Sequence, residues 1–170
     1  MLPETLIDAA TALLYACREA GMTIATAESC TGGLVASCLT EVPGSSDVFE
    51  RGFVTYSNDA KAELLGVPMQ MITRHGAVSE EVAKAMAIGA LARSRALMTI
   101  SITGVAGPGG GTAAKPVGLV HFASAMTGGN TVHERHEFEG NRTDIRREAV
   151  RTALRILADR IPRQAYGAGG

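Results

Sequence analysis

The stretch Met22-Thr23-Ile24-Ala25-Thr26-Ala27-Glu28-Ser29-Cys30-Thr31-Gly32-Gly33 decides how this chain is read. Its first half, Met22 to Ala27, carries β-branched Thr23, Ile24 and Thr26 and predicts a short strand. Beyond the turn, Val35, Cys38 and Leu39 recur at helical spacing until Pro43-Gly44 stops them. The unit is therefore expected to be strand, turn, helix. Such a turn puts Ser29 at the carboxyl edge of a sheet, where open α/β proteins bind ligands. The amides of Thr31, Gly32 and Gly33 then face outward from a helix N-terminus, able to hold a phosphate or an oxyanion. Gly32-Gly33 also lets a substrate come close to the backbone. The plain alternative is that Ser29 or Thr31 only caps the helix. The segment is neither the G-x-S-x-G elbow nor a P-loop, since it lacks the lysine of the latter.

Toward the N-terminus, Pro3 suits an early helical position, and Leu6, Ala10, Leu13, Leu14 and Cys17 share one face until Gly21 ends the helix. Toward the C-terminus, Phe53-Val54-Thr55-Tyr56 predicts a second strand. Ser57-Asn58-Asp59 opens a helix that Gly66 stops, and Ser79-Glu80-Glu81 opens another through Val82, Met86 and Ala90. In Leu97 to Thr103, apolar Met98, Ile100 and Ile102 alternate with polar residues, as in a third strand. A glycine-rich loop from Gly104 to Gly111 leads to a fourth strand, Val117 to Ala125. Thr127-Gly128-Gly129-Asn130 turns the chain into a fifth, which ends near Phe138 as an antiparallel hairpin. The last helix places Ile145, Ala149, Ala153, Leu157 and Ile161 on one face. This alternation predicts an α/β sandwich with helices on both faces of a mixed sheet. Residues 1–164 read as one domain and 165–170 as a frayed tail.

The 170 residues, 46% hydrophobic and 19% charged, can bury one core and do not fit a disordered chain. A net charge of -1 gives no field toward nucleic acid or membrane. Seven of the sixteen basic residues, Arg142, Arg146, Arg147, Arg151, Arg155, Arg160 and Arg163, crowd the C-terminal stretch, and a solvated helix face is the ordinary reading of such a run. Cys17, Cys30 and Cys38 form an odd set without metal spacing, and the four histidines, His75, His121, His133 and His136, show none either. His133 and His136, three apart on a strand, face opposite sides. No metal site is expected. Acidic Glu4 and Asp8 do not fit a signal peptide, and no apolar run approaches the ~20 residues of a bilayer span, so a cytoplasmic protein is expected.

Two more features bear on chemistry. With Ser57 as cap, Lys61 falls in the first turn of its helix, where the dipole and partial burial both disfavour a cation and lower the pKa, as a lysine base requires. A solvated surface lysine is the commoner case. Tyr56 ends the preceding strand at the same sheet edge, or else packs there half-buried. The loop Thr103-Gly104-Val105-Ala106-Gly107-Pro108-Gly109-Gly110-Gly111 either wraps a phosphate with its amides or merely connects. Cys30, near a helix N-terminus that lowers thiol pKa, admits a cysteine hydrolase, although no histidine partner is evident.

Taken together, Thr26 to Gly33, Gly44-Ser45-Ser46, Arg51 to Asn58, Lys61, His75-Gly76-Ala77-Val78-Ser79 and Thr103 to Pro108 resemble the CinA C-terminal-domain family over most of the chain. The resemblance implies a three-layer α/β/α sandwich around a mixed, mostly parallel five-stranded sheet with a C-terminal antiparallel hairpin. Family members that stand alone at this length are amidohydrolases, and the resemblance implies deamidation of nicotinamide mononucleotide to nicotinate mononucleotide and ammonia, in pyridine nucleotide recycling and without a cofactor. It makes Ser29 the nucleophile, Lys61 its base and Tyr56 an assistant. Thr31, Gly32 and Gly33 would meet the oxyanion, the loop from Thr103 with Gly104 and Gly107 would hold the nucleotide, and Arg142 is a guess for its phosphate. Which of Ser29, Thr31 and Ser57 attacks stays open. The alternative is a non-catalytic nucleotide-binding regulatory module. Activities tied to the N-terminal domain of longer family members are not carried over, and no basic, aromatic-interleaved face supports a role on DNA. A homodimer is expected.

Overall fold

Ile24 to Glu28 form strand β1, buried along its whole length, and the sheet grows outward from it. The computed structural model describes residues 2–163, so the tail expected at 165–170 lies outside the described residues. In chain order the elements are α1 (Glu4–Ala20), β1, α2 (Leu34–Thr40), a 3-10 turn (Ser45–Asp47), β2 (Phe49–Val54), α3 (Asn58–Leu65), α4 (Met69–His75) and α5 (Glu80–Ala92). There follow β3 (Met98–Gly104), β4 (Leu119–Ser124), β5 (Val132–Glu137) and α6 (Arg142–Asp159).

The local signals act as their chemistry requires. Ser57 Oγ accepts from the Ala60 amide to start α3, and Ser79 Oγ accepts from Val82 to start α5. Asn141 and Asp144 form a reciprocal capping box on α6. Some bounds differ from expectation. β2 begins at Phe49 and stops at Val54, so Thr55 and Tyr56 lie just past it, and polar Glu50-Arg51 is tolerated because β2 is an edge strand. Helix α4 follows Pro68 and is too short for its apolar residues to show a period. α6 ends at Asp159, leaving Ile161 outside it but packed against the core.

The sheet order is β2-β1-β3-β4-β5. β1 runs parallel to β2 and to β3, while β4 is antiparallel to both β3 and β5. Only β4 is reversed, which makes the sheet mixed, mostly parallel in direction, and closed by an antiparallel C-terminal hairpin. Helices α1, α2 and α6 cover one face and α3, α4 and α5 the other, giving three layers. One core packs Leu6, Leu14, Ile100, Phe122 and Leu157 between sheet and the first helical layer. On the other face Leu65, Ile72, Val82 and Met86 form a second. Each such side chain contributes about 1.5–3 kcal/mol by leaving water. What this frame positions is the carboxyl edge of three parallel strands, from which Ser29, Thr55-Tyr56 and the Thr103 loop emerge side by side.

Candidate active site

Ser29 follows β1 directly, its amide donating to Ile102 O of β3 at 2.9 Å, so the nucleophile candidate is anchored to the sheet. Thr55 extends β2 in the same way, its amide donating to Glu28 O at 2.8 Å. These two strand ends bring the Ser29 hydroxyl within reach of Lys61, whose Nζ lies 3.0 Å from Ser29 Oγ and 2.9 Å from Thr55 O. Lys61 is 1% exposed and Ser29 9%. No carboxylate pairs with Lys61 among the described residues, and burial pushes its amine below the ordinary lysine range, against a smaller opposing effect of Cys30. Of the two causes expected from the sequence, partial burial and the helix N-terminus, burial is the one that dominates. A neutral amine can donate to Thr55 O and offer its lone pair to the Ser29 proton, which is the geometry of a nucleophile and its base.

The turn after Ser29 departs from expectation. Glu28 is fully buried, and its carboxylate accepts the amides of Gly33 at 3.1 Å, Val35 at 3.0 Å and Ala36 at 2.8 Å. The Gly32 amide donates to Ser29 O. The protein's own carboxylate thus fills the anion site at the start of α2, and neither glycine amide is available to a substrate. The two glycines are needed instead for the backbone, with φ of 56° at Gly32 and 93° at Gly33. The Thr31 amide donates to no backbone carbonyl among the described residues. Thr31 itself is buried, and Ser57 Oγ serves as a helix cap, which leaves Ser29 as the hydroxyl beside the amine.

A cleft of about 320 Å³ opens over this pair, at the lower end of the ~300–1,000 Å³ of small-molecule sites. Ser29, Lys61, Tyr56, Thr103, Gly104, Gly107 and Arg142 all line it; Thr31, Gly32 and Gly33 do not. Tyr56 is 60% exposed, and its hydroxyl accepts from Arg142 Nη2 at 3.0 Å. Arg142 Nη1 donates to Gly107 O at 2.8 Å, so the first residue of α6 ties β2 to the glycine loop across the mouth of the cleft. Thr103 Oγ1 donates to Ala77 O at 2.8 Å, which holds the segment before α5 against the site. Gly107 adopts φ 75°, and a Cβ there would meet Val117 at 2.5 Å.

Cys30 also lines the cleft, but burial pushes its thiol up to about 12, opposite to the lowering expected at a helix start. No histidine lines the cleft: His121 stacks on His133, His136 meets Glu134, and His75 lies near Glu81. A cysteine hydrolase therefore has neither a thiolate nor a partner. Sequence reasoning assigned nothing to Asn58, Ala77 and Val78, which also line the site. It also assigned no role to Glu28, whose signal was a carboxylate ending a strand that is otherwise short and apolar. Nor were the basic residues of the C-terminal stretch all solvated. Arg142 and Arg146 turn toward the site, and Arg160 donates to Ser124 O.

Fold and site together define an α/β protein with a buried serine–lysine pair at the carboxyl edge of its parallel strands. A family model described as the CinA C-terminal domain matches residues 7–161, and the chain belongs to that family. The nicotinamide-nucleotide amidohydrolase PncC of Escherichia coli K12 is 52% identical over 142 residues, 84% of this chain and 86% of that protein. A CinA-like protein of Mycolicibacterium gilvum is 52% identical over 151 residues, 89% of this chain but 35% of its own length. Among solved structures, the competence/damage inducible protein CihA from Agrobacterium tumefaciens superposes with a TM-score of 0.91 at 49% identity, covering 94% of this chain and 97% of that one.

Proposed function

We propose that this protein is an amidohydrolase that deamidates nicotinamide mononucleotide to nicotinate mononucleotide and ammonia. The observation that carries the reading is the 3.0 Å contact between Ser29 Oγ and a buried lysine amine that has no carboxylate partner among the described residues. A module that only binds nucleotides has no use for that pair, and the likeness to an amidohydrolase over most of both chains favours the same reaction.

Ser29 Oγ attacks the carboxamide carbon while Lys61 takes its proton, and Thr55 O holds the amine in line. The tetrahedral oxyanion is met by the backbone amide of Cys30, which lines the cleft and donates to no backbone carbonyl among the described residues. Lys61 returns the proton to the nitrogen, ammonia leaves, and a nicotinoyl ester stays on Ser29. Water activated by the neutral Lys61 then hydrolyses that ester, releasing the carboxylate product and restoring the serine. Tyr56 and Arg142 border the reacting group and, with the loop from Thr103 through Gly104 and Gly107, hold the nucleotide. The amides at the starts of α2 and α6 are already used by Glu28 and Asn141, so Arg142 is the cation left to read the phosphate.

One domain over residues 1–164, a cytoplasmic setting and a homodimer are part of the same proposal. The test is incubation of the purified protein with nicotinamide mononucleotide. Equal amounts of ammonia and nicotinate mononucleotide are expected. Tight binding of the nucleotide without either product would establish the regulatory module instead.

A further inference from the structure

Most polar side chains of the cleft are engaged within the protein. Ser29 Oγ meets Lys61, Thr103 Oγ1 donates to Ala77 O, and the Tyr56 hydroxyl accepts from Arg142, which also donates to Gly107 O. Asn58, the first residue of α3, lines the same cleft and is exposed. Its carboxamide neither donates nor accepts a hydrogen bond among the described residues, which leaves both functions open to a substrate.

Asn58 stands at the reacting end of the cleft. It and Lys61 are three residues apart on α3 and so share a helix face. Long helical side chains lean toward the N-terminus of their helix. Lys61 does so, its Nζ reaching Thr55 O at 2.9 Å, ahead of the first residue of the helix. The amine is thereby carried to the end of α3 that Asn58 occupies, while Tyr56 and Arg142 close the mouth. Ala77, Val78, Val105 and Ala106 also line the cleft. Their side chains suit a pyridine ring and offer its carboxamide no hydrogen bond.

A primary carboxamide bound there has an oxygen that requires a donor, which the Cys30 amide supplies, and N–H groups that require an acceptor. We infer that Asn58 provides that acceptor: its Oδ1 receives an N–H of the substrate carboxamide and so recognises the group that leaves. The nitrogen is held on the Lys61 side and the carbonyl oxygen is turned toward Cys30. When the tetrahedral intermediate collapses, Lys61 gives its proton to that nitrogen and the C–N bond breaks. The bonding pair departs with ammonia, and the oxyanion re-forms the C=O bond. This recognition rests on the amidohydrolase reading.

The experiment compares the wild type with Asn58→Ala on nicotinamide mononucleotide and on the methyl ester of nicotinate mononucleotide. The ester has no N–H to offer, yet it forms the same nicotinoyl ester on Ser29, so the two substrates differ only in the leaving group. If the wild type releases no ammonia, the amidohydrolase reading itself has failed. With an active wild type, Asn58→Ala should lose roughly 10- to 100-fold in kcat/KM on the amide, the cost of an N–H left without an acceptor. On the ester it should stay within about three-fold of the wild type. Equal losses on the two substrates, or full activity of the variant on the amide, would overturn the inference. Asn58→Asp keeps an acceptor but sets a carboxylate beside Lys61, so the ionisation in its kcat/KM profile should move to higher pH, while that of Asn58→Ala should not. An unmoved ionisation in Asn58→Asp puts the residue away from the reacting end and overturns it too. A structure of Ser29→Ala with nicotinamide mononucleotide leaves Asn58 untouched. The carboxamide is expected within hydrogen-bond distance of Asn58; a carboxamide beyond its reach overturns the inference.

Discussion

Lys61 Nζ stands 3.0 Å from Ser29 Oγ, across 32 residues of chain, in a site where Lys61 has been all but removed from water. The contact needs β1 and β2 to end level with each other, which their parallel pairing from Ala25–Arg51 to Glu28–Val54 ensures. Chemistry assigned to either residue depends on that register.

Ser29→Ala and Lys61→Arg should each abolish ammonia release while leaving the fold intact. Arginine keeps the charge but cannot deprotonate, so as a base it should be no better than alanine. Steady-state rates on the purified variants decide the point. Substantial turnover by Lys61→Arg would make Lys61 a charge contact and move the base elsewhere.

Burial lowers the Lys61 pKa, so the neutral amine becomes populated below the ~10.4 of a free lysine. kcat/KM should therefore rise with pH through an ionisation below that value and fall away on the acid side. The pH profile of kcat/KM measures it. An ionisation at the free-lysine value would contradict the environment described.

The same burial sets a stability prediction. A lysine whose folded pKa is depressed destabilises the fold most at low pH, and the cost fades as pH rises toward the unfolded pKa. Lys61→Met should thus be inactive yet more stable, with a larger rise in Tm at pH 6 than at pH 9. At this length each kcal/mol moves Tm by roughly 2–4 °C. Thermal melts at the two pH values are the measurement.

Glu28→Gln replaces a carboxylate that accepts three amides at a helix start. Loss of charge there should cost about 1–3 kcal/mol of stability, read by denaturant unfolding. Turnover should fall as well, because the turn carrying Ser29 is held by the same bonds.

Cys30→Ala should retain most of its turnover, since the thiol is buried and held up at about 12. Alkylation of the wild type by iodoacetamide at neutral pH should be slow. Loss of activity in Cys30→Ala equal to that in Ser29→Ala would restore the cysteine mechanism.

Nicotinamide riboside, which lacks the phosphate, should be a much poorer substrate than the mononucleotide, and Arg142→Ala should narrow the difference. Comparable kcat/KM for the two compounds in the wild type would remove Arg142 from phosphate recognition.

Much of this was legible in the chain because it is local. Ser57, Ser79 and Gly21 act on amides and carbonyls within one turn of themselves, so caps and stops follow from residue type and spacing. Strand periodicity and the strand–turn–helix unit around Ser29 are likewise properties of neighbouring residues, and they placed Ser29, Tyr56, Lys61 and the Thr103 loop at one sheet edge. Tertiary structure alone decided how the polar groups there pair. The Gly32 and Gly33 amides looked available from the sequence, yet one was taken by Ser29 O and the other by Glu28, whose carboxylate folds back under the turn. A lowered Lys61 pKa was expected, but how completely the side chain is buried came from packing on all sides, which no local pattern encodes. Arg146 read as one cation in a solvated row until α6 docked beside the nucleophile turn, 116 residues earlier in the chain. Caps and periods act over a few bonds, whereas desolvation and long-range hydrogen bonds exist only once the layers have closed.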